Sequence, residues 1–165
     1  SEGRDIDFRN CLLVMTSNIG DELIASTVAS QSREVDIQSL TKALRPELLK
    51  YFKTAFLGRL TVVPYLPLSE EELVMIGEIA IDRIRGQLLE RYGATLTYPR
   101  KVVEALVSQY NDPGTGGRAI EQALSRKVLP QLGQQCLAKL IEGDQFSTVA
   151  ISLGKDRSKI EIKVT

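Results

Sequence analysis

The chain has 165 residues, 43% of them apolar and 25% charged, which is enough to bury a core and too apolar for a disordered chain. Lysine plus arginine equals aspartate plus glutamate at 21 each, so no global charge argues for nucleic acid or an anionic membrane surface. Histidine is absent, which excludes hydrolases built on a His-based dyad and removes the commonest metal ligand.

No apolar run approaches the roughly 20 residues of a membrane span, and no signal-peptide pattern opens the chain. The opening SEGRDIDFRN carries no initiator methionine and no helix or strand signal, so a piece of a longer protein is expected. Cys11 and Cys136 lie far apart, each in an apolar run, the pattern of reduced core thiols in a cytosolic protein; spacing alone leaves a disulfide open.

In chain order, CLLVMTSN (Cys11 to Asn18) is an unalternating apolar run, as in a strand covered on both faces, and it predicts a parallel α/β sheet. SNIGDELIAS then reads as a strand-to-helix turn and ASQSREVD as a polar loop. Leu40, Leu44, Leu48, Phe52 and Ala55 recur at helical spacing, with Pro46 expected to start a new turn and the helix to end near Gly58. Leu60 to Val63 predicts a short strand, and Pro64 and Pro67 a stiff connector that divides the chain into residues 1–66 and 67–165.

Ser69 before three glutamates is a helix N-cap with acidic residues in the first turn, where they complement the dipole. Leu73, Ile76, Ala80, Ile84 and Leu88 continue one apolar face to about Tyr92. ATLTY predicts a strand, Arg100 to Tyr110 a helix presenting Val103, Leu106 and Val107, and Ala119 to Ile141 a long helix interrupted near Pro130. STVAISLG and SKIEIKVT alternate around GKDR as a terminal hairpin.

Between the last two helices lies NDPGTGGRAIEQAL. A phosphate loop of the Walker type needs Lys-Ser or Lys-Thr after its glycines, whereas Arg118 and Ala119 follow here, so a helix-to-helix turn with glycines at positive φ is the plainer reading. Arg118 nevertheless faces the positive end of a helix dipole, an unfavourable position unless Glu121, one turn along, or a bound phosphate compensates it. Asn18, after the buried-type run, reads either as the ligand end of a strand or as an Asx turn or N-cap. Arg59, beside Gly58, reads as a cation complementing a helix C-terminus.

Three blocks in this order, GRDIDFRNCLLVMTSNIG, FKTAFLGRLTVVPYLPLSEEEL and DPGTGGRAIEQAL, closely resemble the second ATPase module of the Clp/Hsp100 AAA+ unfoldases over nearly the whole chain. The resemblance implies an α/β fold (α+β overall): the end of a parallel α/β large subdomain in residues 1–66, then a mostly helical lid with a small sheet in residues 67–165. It implies Asn18 as sensor 1, which positions the attacking water, Arg59 as the arginine finger reaching a neighbouring subunit, and Arg118 as sensor 2. Met75, Ile76 and Ile79 on the first lid helix are candidates for adenine contacts and read equally well as core. The phrase LRPELLKY is a decoy for the finger, because Lys50 and Tyr51 stand where the arginine falls; Thr54 and Gly58 depart from the usual proline and asparagine of the true phrase.

The cofactors implied are ATP or ADP with Mg²⁺ in the parent and none in the chain itself, which lacks a Walker loop, a catalytic Asp-Glu and an aromatic-Gly pore loop and is expected to be inactive alone. The partners implied are other copies of the parent in a hexamer and a protein substrate, with no nucleic acid and no membrane, in the bacterial cytoplasm. VVPYLPL looks more like the type VI secretion branch, ClpV, than the disaggregase ClpB or the protease partner ClpA, which implies sheath subunits as substrate.

Overall fold

In the computed structural model, residues 9–30, 35–110, 116–154 and 159–165 are described. They fall into two units, Ser1–Leu66 and Pro67–Thr165.

The first unit contains α1 (Asp21–Ser30), α2 (Ile37–Leu49) and the single turn α3 (Thr54–Leu57). The Asp36 side chain caps α2 by accepting from the backbone N–H groups of Gln38 and Ser39. Its carboxyl is held below the usual range first by the Ser39 hydroxyl and then by the Gln38 amide. Leu40, Leu44 and Leu57 are buried. Pro46 lies inside the last turn of α2, and the helix breaks after Leu49.

Both strands expected here are corrected. Cys11–Asn18 and Leu60–Val63 form no regular element, and no strand occurs among the described residues of this unit. A strand holds only when a neighbour takes up its N–H and C=O groups, and none of the described residues does so. The apolar run accordingly stands in solvent, with Leu12 89% and Val14 79% exposed. Cys11 is exposed too, so only Cys136 is the core thiol expected of both; each is free, and burial pushes the Cys136 thiol pKa up.

The second unit begins with α4 (Glu70–Tyr92). Ser69 closes a capping box: its Oγ accepts from the Glu72 N–H at 3.2 Å, and its own N–H donates to Glu72 Oε2 at 2.7 Å. Gly93, at φ 66°, ends the helix in the left-handed conformation. Then come β1 (Thr95–Thr97), α5 (Arg100–Tyr110), α6 (Gly117–Ala123), a π-helical turn (Leu124–Val128), α7 (Leu129–Glu142), β2 (Thr148–Leu153) and β3 (Ile160–Val164).

The sheet order is β1-β2-β3, with β1 parallel and β3 antiparallel to β2. Leu96 pairs with Val149, Val149 with Val164 and Ile151 with Ile162, so these buried side chains share one face. The Gln135 amide of α7 donates to the Ile162 carbonyl at 2.6 Å and ties helix to sheet. The core gathers Leu73, Ile81, Val103, Leu106, Ile120 and Val128 with that face.

The interruption expected near Pro130 falls just upstream of it, as the π turn. Ile120, Leu124, Val128, Leu132 and Cys136 are all buried at strict four-residue intervals. An ideal helix would carry such a series about 160° around its axis, and one extra residue in a wide turn cuts that to about 60°. The Leu129 N–H reaches back to the Leu124 carbonyl, and Pro130, which can donate nothing, sits in the first turn of α7.

Candidate functional site

Asn18 and Arg59 lie in the first unit, and Arg118, Met75, Ile76 and Ile79 in the second. Asn18 precedes α1, exposed; its carbonyl accepts from the Asp21 N–H at 3.3 Å, and the neighbouring Ile19 N–H is taken by Ser17 Oγ at 3.1 Å. The backbone thus supplies the turn, leaving the Asn18 amide side chain without a hydrogen bond among the described residues. Arg59 follows α3, and its N–H donates to Phe56 O at 3.0 Å. Its guanidinium is exposed and makes no ion pair among the described residues.

The second unit brings its candidates together. Gly116 precedes α6 at φ 50° and ψ −142°, a conformation that side chains resist, and this turns the chain into the helix. A Cβ on Gly117 would lie 2.9 Å from Ile76 Cδ1, and one on Gly116 would lie 3.9 Å from Leu68 Cδ1. The loop end therefore rests on the first turns of α4. Residues 111–115 of this loop lie outside the described residues. Ile76 is half-buried beneath Gly117, next to Arg118, whereas Met75 and Ile79, one turn apart, are 53% and 55% exposed. Ile76 packs under Gly117, while Met75 and Ile79 present about half of their surface to solvent.

Arg118 is exposed in the first turn of α6 and makes no hydrogen bond or ion pair among the described residues. The local compensation expected from Glu121 does not form: Glu121 Oε1 lies 3.8 Å from Nη1 of Arg83 on α4. Arg83 escaped the sequence reading. Its only signal was a place four residues beyond Ile79, on the α4 stripe that begins at Met75.

An unpaired guanidinium can take a phosphate, and exposed aliphatic side chains can take an apolar ring. No group of three His, Cys, Asp or Glu side chains among the described residues could hold a metal ion. No helix among the described residues is long and apolar enough to cross a membrane.

Residues 68–151 match the family described as the C-terminal, D2-small domain of ClpB protein, and residues 1–63 match the AAA domain of the Cdc48 subfamily. The chain belongs to the Clp/Hsp100 group of AAA+ proteins and corresponds to the carboxy-terminal part of their second module.

Similar proteins include the chaperone protein ClpB of Yersinia enterocolitica, 36% identical over 99% of this chain and 18% of the relative. The AAA+ ATPase ClpV1 of Pseudomonas aeruginosa is also 36% identical, over 92% of this chain and 17% of its own length. The chloroplastic chaperone protein ClpC4 of Oryza sativa is 32% identical over 93% of this chain. The chain thus spans under a fifth of the length of the first two relatives, at 18% and 17%.

Proposed function

We propose that the chain supplies phosphate-facing residues to an ATP-driven protein unfoldase. Residues 1–66 are the end of its large α/β subdomain and residues 67–165 its lid. Asn18 positions the attacking water, Arg59 acts as the arginine finger on a neighbouring subunit, and Arg118 reads the γ-phosphate within its own subunit. Met75 and Ile79 border the adenine, with Ile76 behind them. Phosphoryl transfer is driven mostly by positioning and charge stabilisation, and an arginine finger contributes on the order of 10³ to 10⁵ in rate.

The observation that carries this reading is Arg118: exposed, against the positive end of its helix, with no carboxylate partner among the described residues. ATP or ADP with Mg²⁺ binds in the parent, where other residues hold the metal and the phosphate loop; the chain alone does not hydrolyse ATP. The parent is a hexamer in the bacterial cytoplasm that threads protein substrates. An Arg118→Ala substitution in the intact ATPase tests this. Loss of turnover with the ring intact is the expected result, and loss of assembly alone would point to a purely structural module.

The phrase VVPYLPL favours a parent of the ClpV type, acting on the subunits of a contracted type VI secretion sheath. A ClpB-like disaggregase is the second reading, because ClpB and ClpV1 relatives are equally similar at 36%. Disassembly of purified sheaths by the parent, without reactivation of heat-aggregated protein, is the expected outcome.

A further inference from the structure

Arg118 stays unpaired although a carboxylate lies within its own helical reach. Glu121 is three residues along, a spacing at which side chains on a helix meet. In sequence it is the only acidic residue among the four that follow Arg118. It turns instead to Arg83. Arg83 has no second ion-pair partner among the described residues, since the neighbouring Asp82 is held by Arg85 at 2.7 Å. Arg85 is itself committed, donating to the Leu96 carbonyl and lying over the Tyr98 ring. Glu71, Glu78 and Glu104 surround Arg100.

The backbone frame makes this pairing possible. α4 and α6 touch closely where Gly77 lies under Ile120, and where Ile76 lies on Gly117. Arg83, about two turns beyond Ile76 on α4, then reaches across to Glu121.

We infer that Arg83 is a positioning residue for Arg118, drawing the Glu121 carboxylate away so that Arg118 remains open to a phosphate. This rests on the assignment of Arg118 as a phosphate reader. An exposed pair such as Arg83 and Glu121 contributes little to stability, so its effect lies in which arginine the carboxylate neutralises. Without Arg83, Glu121 folds back on Arg118 and competes with the phosphate.

The test measures, in the intact ATPase, the binding preference for a non-hydrolysable ATP analogue over ADP. Arg83→Met is expected to lower that preference about 1.4- to 2.3-fold, the size of one helical ion pair. Arg83→Lys keeps it, and Arg83→Met combined with Glu121→Gln restores it. A structural clamp makes the opposite demand, because Glu121→Gln alone would then do as much harm as Arg83→Met and would rescue nothing. Either that pattern or an Arg83→Met variant identical to wild type overturns the inference. Arg118→Ala is measured alongside: if it leaves the preference intact, the reading of Arg118 itself falls, and that arm identifies which of the two has failed.

Discussion

Gly77 and Gly86 occupy the same helix, yet their surroundings are opposed. A Cβ at Gly77 would stand 2.4 Å from Val103 Cγ1 and 3.3 Å from Ile120 Cγ2, while one at Gly86 would meet nothing within 4 Å. Gly77→Ala should therefore destabilise by about 1–3 kcal/mol through overpacking. Gly86→Ala should stabilise by about 0.5–1 kcal/mol, since alanine costs less backbone entropy in an exposed helix. Urea unfolding of the two variants gives opposite shifts in midpoint if this packing is right. The close approach at Gly77 also seats α6 on α4, and so sets where Arg118 emerges. Neither glycine differs from the other in local sequence signal; only the helices packed on Gly77 separate them.

Helix α4 shows how an element legible in the sequence acquires a pH response. The Glu72 carboxyl is held below its ordinary value first by the Ser69 backbone N–H and then by the Ser69 hydroxyl. Its folded-state pKa is depressed, so its contribution is present above the unfolded value of about 4.3 and is lost as pH falls through the folded one. Protection of the first-turn amides of α4 against hydrogen exchange should decline across that acid range, and Glu72→Gln should flatten the decline. Ser69→Ala should cost about 1 kcal/mol at neutral pH. The serine and glutamate were recognisable in advance because the cap involves residues only three apart. The proline marks an interruption nearby, but that the break takes the form of a π turn just upstream was not legible, although its four-residue apolar spacing lay open in the sequence.

For the whole protein, the expected lid-like fold of helices with a small sheet is present in residues 67–165, whereas the two strands expected in residues 1–66 find no partners among the described residues. If Arg59 is a finger acting across subunits, hexamers mixing Arg59→Ala with unaltered protein should lose more turnover than the fraction of altered subunits accounts for. A strictly proportional loss would place the defect within the altered subunit. By itself the sequence determined most of the helices, the Ser69 cap and the hairpin, because periodicity, capping and turn chemistry act over one or two turns of chain; the three candidate polar residues came from the resemblance. Only the tertiary structure decided which side chains remain available: Ile76 is covered by Gly117, Met75 and Ile79 are left open, and Glu121 is taken by Arg83. Those outcomes depend on which helices meet and how closely, through contacts between residues distant in sequence that no local pattern encodes.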